Sequence, residues 1–324
     1  MWRRLSLFIL SCAVAVAILA SMLYLVWDEL IETLTRADPR YLVLAVAICI
    51  IGWWMRGWRY RYILDSLEVK VSLSFSTATI LVSQTVNLVV PARLGDLIRI
   101  FILHHEKETP YEIGLSSIVV ERIFDVLMVA VLGLLSLPFV LGAPPWIYPV
   151  IVIPLILTGI FFVALVLTGR LTAKNRIFAF ILRMLEGIRR ASLSYRSVAV
   201  LGVSSILIWM MDVLACAAVA LMFGQEIPFA VITLAIVVGN LVKAVPITPG
   251  GVGTYEAAVA VTLMIVGVSQ EAATLIAILD HLVKNAVTLA GGVISIVFLG
   301  SWVMSVIRQA LRTKGGGDGD GGTA

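Results

Sequence analysis

The chain has 324 residues, 60% of them hydrophobic and only 14% charged, with a net charge of +4. Soluble domains carry about a quarter charged residues, so this composition excludes an ordinary soluble domain. Apolar stretches that reach the roughly 20 helical residues needed to cross a bilayer recur from Leu5 to Ile307. The fold class expected is an all-α integral membrane protein, one polytopic helical bundle over 1–314 followed by a disordered Gly/Asp tail at 315–324. Its basic residues flank apolar runs, where the positive-inside rule places them, so they read as topology signals and not as a nucleic-acid surface. Cys12, Cys49 and Cys216 lie within apolar runs, and His104, His105 and His281 lack zinc-binding spacing. Neither a disulfide framework nor a metal or cofactor is expected.

Full spans are predicted at about 5–27, 41–62, 113–140, 146–168, 197–223 and 272–307, with re-entrant hairpins at about 71–102 and 229–268. The first apolar run exceeds the roughly 7–15 residues of a signal-peptide core and reads as a retained span. It leads to an acidic connector, Asp28-Glu29-Leu30-Ile31-Glu32, placed outside. The second span ends among Arg56, Arg59 and Arg61 with Trp53, Trp54, Trp58 and Tyr60, a basic and aromatic belt expected at the cytoplasmic face.

The next segment is apolar to Val90 and is then broken by Pro91-Ala92-Arg93-Leu94-Gly95-Asp96-Leu97-Ile98-Arg99. The third span carries Glu121, Arg122 and Asp125, and Gly142 to Pro145 form an outer turn. After the fourth come Arg170, Lys174, Arg176, Arg183, Arg189, Arg190 and Arg196, opposed only by Glu186, which sets the cytoplasmic side. The apolar residues among them fit a basic amphipathic helix on anionic headgroups, or equally an orientation-setting loop.

The second hairpin contains Val245-Pro246-Ile247-Thr248-Pro249-Gly250-Gly251-Val252-Gly253-Thr254-Tyr255-Glu256. Pro246 and Pro249 remove backbone donors, and the three glycines accept conformations closed to other residues, so the helix must open here. Open backbone survives at membrane depth only where protein covers it or water fills a cavity, which marks the expected functional centre. The last span carries Asp280, His281 and Lys284, and both termini are expected in the cytoplasm.

The broken segments resemble each other. Asn87, Pro91 and Gly95 are answered by Asn240, Pro249 and Gly253, and a charged i,i+4 pair follows each: Glu121 with Asp125, then Asp280 with Lys284. An odd number of crossings separates them, which makes the halves an inverted repeat with its site near the bilayer midplane. Ionised residues cost about 2.5–3.5 kcal/mol each at a helix centre, so Glu121, Arg122 and Asp125 must face protein or water. Glu121 and Asp125 share a face; Arg122 points about 100° away, toward the hairpin.

Other charges have two readings. Asp280 and Lys284 either neutralise each other or contact substrate. Arg93, Asp96 and Arg99 form either an ordinary helix end or a site where guanidinium forks meet a phosphate. Glu256 suits the first turn of a half-helix, a cationic substrate or a proton, and the Gly250–Gly253 turn would offer backbone N–H groups to an anionic headgroup.

At these residues the chain resembles the lysylphosphatidylglycerol synthase transmembrane-region family, the membrane part of bifunctional enzymes that make and translocate aminoacylated lipids, also found as stand-alone proteins. Pro91-Ala-Arg93-Leu-Gly95-Asp96-Leu-Ile-Arg99, Glu121-Arg122-Ile-Phe-Asp125 and Thr248-Pro249-Gly250-Gly251-Val-Gly253-Thr-Tyr-Glu256 carry the likeness. The resemblance implies a flippase-like plasma-membrane protein that moves a polar-headed phospho- or glycolipid between leaflets, with membrane lipids and lipid- or glycan-synthesising enzymes as partners. The Gly/Asp tail stands where bifunctional members have a soluble aminoacyl-transferase domain, so synthase activity is not expected. A small-solute transporter shares the broken-helix architecture. An intramembrane enzyme is disfavoured, because Leu94-Gly95-Asp96 with Asp125 departs from paired intramembrane aspartates in order and at Arg93. With no ATP-binding motif, transport would be passive or ion-coupled, with Glu121, Asp125, Glu256 or Asp280 as proton carriers.

Overall fold

The computed structural model describes residues 2–24, 27, 35, 37–90, 93–140, 144–167, 175–245, 248–300 and 302–305, with side chains from Ala13 onward. Pro91, Pro246, the acidic connector at 28–32, Arg170, Lys174 and the tail at 315–324 lie outside the described residues. Among those described, all regular structure is helical: α1 (Trp2–Tyr24), α2 (Pro39–Ser66), α3 (Leu73–Val89), α4 (Gly95–Lys107), α5 (Tyr111–Ser136), α6 (Ile147–Leu167), α7 (Arg176–Ser192), α8 (Tyr195–Met222), α9 (Phe229–Ala244), α10 (Thr254–Ile265) and α11 (Gln270–Leu299). Polar N-caps divide the apolar sequence. Asp38 accepts from Arg40 N ahead of Pro39, Ser72 from Phe75 N, Asn175 from Phe178 N, Ser194 from Ser197 N and Ser269 from Ala272 N. Each satisfies a backbone donor that the first helical turn leaves unpaired.

Four helices, α2, α6, α8 and α11, are long and apolar enough to cross a membrane. They match the spans expected at about 41–62, 146–168, 197–223 and 272–307. At 26 residues α5 has the length as well but carries Glu121, Arg122 and Asp125. Ile153, Ile156, Ile160 and Val163 of α6 and Val293, Ile294 and Val297 of α11 are exposed, an outer face suited to lipid and not to water.

The two broken segments each fold back on themselves. Val82 and Val86 of α3 share a buried cluster with Ile98 and Ile102 of α4. Gly239 of α9 meets Tyr255 and Val259 of α10. Contacts symmetric about each break make helix hairpins of both. At 1.5 Å per residue the return arms, α4 and α10, are about 20 Å and about 18 Å long, short of a hydrocarbon core of about 30 Å.

The arm α3 is wedged between α2 and α11. A methyl group on Gly57 would come within 1.8 Å of Thr77 Oγ1, and one on Gly292 within 1.9 Å of Thr85 Oγ1. Small residues let these backbones approach, as at other helix crossings in membranes. Thr85 Oγ1 then donates to Thr288 O at 3.0 Å across the second crossing.

Between 176 and 192 the basic segment is helical. One face of α7 is docked, with Ile188 and Ala191 buried beside Val120 and Phe124 of α5. Arg183 pairs with Glu112 at 2.7 Å and Arg190 pairs with Glu68. Ile177 and Ile181 at the free end of the helix remain exposed.

Candidate functional site

Gly95 opens α4 flush against α3: a methyl group there would sit 2.1 Å from Ser83 O and 2.6 Å from Asn87 Oδ1. That approach delivers Asp96 to Ser83 Oγ at 3.2 Å and Asn87 Nδ2 at 3.0 Å. Arg93, in the turn before it, has φ 53°, an uncommon conformation for a residue with a Cβ. Arg122 of α5 reaches Asp96 with one nitrogen, at 3.1 and 3.0 Å to the two oxygens.

Arg99, fully buried, donates to Glu121 Oε2 at 2.6 Å and lies 4.9 Å over the Tyr60 ring. Arg59, also buried, donates to Asp125 Oδ1 at 2.6 Å and to Ser205 Oγ at 2.7 Å, with Glu121 at 3.7 Å. Asp125 thus holds α2 and Glu121 chiefly α4, while Arg122 takes Asp96 of the same hairpin. This network ties α2, α4, α5 and α8 together.

The second network has other chemistry. Glu256, in the first turn of α10, accepts from Gly253 N at 2.7 Å and from His281 Nδ1 at 2.7 Å. His281 Nε2 lies 2.9 Å from Lys243 Nζ. An ammonium only donates, so Nε2 is the acceptor and the ring proton sits on Nδ1, toward Glu256. Tyr255 OH donates to Asp280 Oδ2 at 2.7 Å, and Lys284 pairs with Asp280 at 2.8 Å.

The breaks meet. A methyl group on Gly250 would lie 3.3 Å from Leu88 Cδ2, at the end of α3. Around this contact lies a cavity of about 230 Å³. Arg93, Glu121, Arg122 and Asp125 line it from the first half of the chain, and Lys243, Thr248, Gly250, Gly251, His281 and Lys284 from the second. Trp53 and Arg56 of α2 and Trp209 and Asp212 of α8 complete the wall, with Arg56 bonded to Asp212 at 2.7 Å.

Of the residues expected at a site, Asn87, Arg93, Glu121, Arg122, Asp125, Asn240, Gly250, Gly251 and Lys284 line the cavity, whereas Asp96, Arg99, Glu256 and Asp280 stand behind it. Three expectations are corrected. Arg99 has no face toward the cavity, because Glu121 and Asp96 enclose it. Arg56 and Arg59 do not form an interfacial belt but turn inward to Asp212 and Asp125. In the Gly-rich turn, the N–H groups of Gly251 and Gly253 are taken internally, by Thr248 O at 3.1 Å and by Glu256. Sequence reasoning missed Lys243 and Asp212 altogether. The available signal was a charged residue within an apolar helix, the same one that singled out Glu121.

The sequence pattern of the family described as the lysylphosphatidylglycerol synthase TM region matches residues 8–292. The chain belongs to this family. Its match takes in both hairpins and every charged residue of the cavity wall. Members of this membrane-protein family similar to the chain include a UPF0104 membrane protein of Methanothermobacter thermautotrophicus, 22% identical with 92% of this chain and 97% of the relative covered. One from Pyrococcus horikoshii is 23% identical, with coverage of 84% and 92%. A protein named glycosyltransferase AglD, from Haloferax volcanii, is 32% identical over 96% of this chain, which spans 57% of that relative's length.

Proposed function

We propose that this chain translocates a polar-headed phospho- or glycolipid between the leaflets of the plasma membrane by alternating access around the cavity at the two helix breaks. The observation that carries the proposal is the meeting of those breaks in a charged cavity within otherwise apolar helices. Charges at such a depth are costly and face a pathway or a partner.

In this reading the hairpins are re-entrant, and the short arms α4 and α10 support it. Helices α2 to α5 then correspond to α8 to α11, with lengths of 28, 17, 13 and 26 residues against 28, 16, 12 and 30. These are the two halves of an inverted repeat, with both chain termini cytoplasmic. Arg93 meets the headgroup phosphate, and Arg122, paired with Asp96, lines the cavity with it. Glu256 and Asp280, each bonded to a second titratable group, are the proton carriers if transport is coupled. Lipid- or glycan-synthesising enzymes are the partners, a role that the name of the Haloferax relative favours.

The test is reconstitution of the full chain into vesicles that hold headgroup-labelled lipids of several classes. Quenching of inner-leaflet label faster than in protein-free vesicles is expected. Exchange at the protein-free rate for every class sinks the proposal. Leakage of a small polar solute from the same vesicles would point instead to solute transport, and transfer of a sugar to lipid would point to enzymatic chemistry.

A further inference from the structure

The charges around the cavity pair off in a particular way. Arg56 is matched by Asp212, Arg59 by Asp125, Arg99 by Glu121, Arg122 by Asp96 and Lys284 by Asp280. Arg93 makes no hydrogen bond or ion pair among the described residues. Lys243 has the neutral Nε2 of His281 as its hydrogen-bond acceptor and the Tyr255 ring at 5.5 Å. Among the described carboxylates of these two networks, the one without a Lys or Arg is Glu256, and His281 separates it from Lys243. Arg93 and Lys243 against Glu256 leave a surplus of one positive charge.

We infer that Arg93 and Lys243 form a two-cation clamp for a phosphate group of net negative charge, and that this clamp discriminates against cationic, aminoacylated headgroups. The inference rests on the lipid-translocation reading of the cavity. Arg93 stands in the turn of the first break and Lys243 in the last turn of α9, just before the second, so one phosphate held by both joins the hairpins. The bond from Lys243 to the neutral His281 Nε2 carries no charge–charge attraction, whereas a phosphate oxygen adds one, so a phosphate displaces Nε2 from Lys243. A headgroup with a surplus amine brings a like charge into a low-dielectric cavity that already holds one too many. The lysine stem packs against Gly251, where a methyl group would be 2.5 Å from Lys243 Cγ, so the ammonium can change partner while the stem stays in place.

The test uses the full chain in detergent micelles and reads lipid retention by native mass spectrometry. The probes are phosphatidylglycerol, its lysyl ester, the water-soluble glycerophosphoglycerol and inorganic phosphate. Retention of phosphatidylglycerol over the lysyl ester by about tenfold is expected, the scale of one charge-assisted contact. The variant R93Q/K243M, which keeps both side-chain stems, should lose that preference while its unfolding temperature holds, and K243R should keep it. Equal retention of the two lipids, or an unchanged preference in R93Q/K243M, overturns the clamp. Inorganic phosphate or glycerophosphoglycerol that competes at a lower concentration than the lipid overturns the lipid as its source. Because this binding is read without transport, failed leaflet exchange would sink the translocation reading and leave the clamp standing. Equal retention of the two lipids with clear leaflet exchange would do the reverse.

Discussion

Among the described residues, every cation within ion-pair distance of Asp96, Glu121 and Asp125 is an arginine, whereas around Glu256 and Asp280 the partners are His281, Lys284 and Tyr255, with Lys243 one bond further out. A guanidinium is a planar fork that keeps its proton, so three of them hold the first half in one geometry whatever the local proton supply. Lysine is a point charge on a flexible stem, and histidine and tyrosine exchange protons. The first network therefore has the more rigid partners and the second the more adaptable ones. Under the proposed alternating access, the first would serve as the frame and the second as the gate.

The sharpest way to break this contrast is to remove one cation from each network. Arg99→Ala leaves Glu121 buried with only Arg59 at 3.7 Å, and loss of one partner from a buried pair costs about 3–5 kcal/mol. Lys284→Ala leaves Asp280 its bond from Tyr255 OH, and Lys284 is itself 17% exposed. Its cost should be smaller, about 1–3 kcal/mol. Thermal unfolding of the two variants in the same detergent decides the matter. Equal losses would mean that the second network is as fixed as the first.

The breaks also differ, and their glycines show how. Gly95 is required by space, since its Cβ would strike a backbone oxygen of Ser83 that cannot move without opening the hairpin. Gly95→Ala should cost about 1–3 kcal/mol, as overpacking does, and should loosen Asp96 from Ser83 and Asn87. Gly250 is required mainly by conformation, with φ 63°, and the tightest approach a Cβ would make, 3.3 Å to Leu88 Cδ2, is to a side-chain end that can give way. Gly250→Ala should cost about 1–2 kcal/mol, the strain of one left-handed residue, with the Asp96 bonds intact. Unfolding midpoints give the sizes, and protection of the Gly95–Arg99 amides from hydrogen exchange should fall in the first variant alone.

Much of this arrangement could be read in the sequence. The prolines and glycines of the breaks mark them without any tertiary information, and charges in apolar helices pointed to Glu121, Arg122, Asp125, Asp280 and Lys284. Direction was not legible. Arg56 and Arg59 sit among Trp53, Trp54 and Trp58, the composition of an interfacial belt, yet they point inward while Trp54 and Trp58 are exposed. Composition does not say which face of a helix meets its neighbours; the packing of α2 on α8, which supplies Asp212 and Ser205, does. Lys243 escaped notice for a related reason. At the end of an apolar helix a lysine reads as a snorkelling anchor, and only the fold of α9 against α10 and α11 brings His281 to it.

The smallest effect is expected where the same guanidinium–carboxylate chemistry lies in the open. Arg190 and Glu68 join α7 to the end of α2, with Glu68 73% exposed and Arg190 51%. Exposed pairs contribute about 0.2–1 kcal/mol and lose that in salt, because water and ions already solvate both partners. Glu68→Ala should therefore shift the unfolding midpoint only slightly at low ionic strength, and by less at high. Ile188 and Ala191, buried beneath α7, would keep the helix docked. A loss near that of Arg99→Ala would show that burial is not what separates the two pairs. The contrast between the fixed and the rearranging network would then need another physical basis, since it assumes that buried arginine pairs are far harder to break than the chemistry of the pair alone requires.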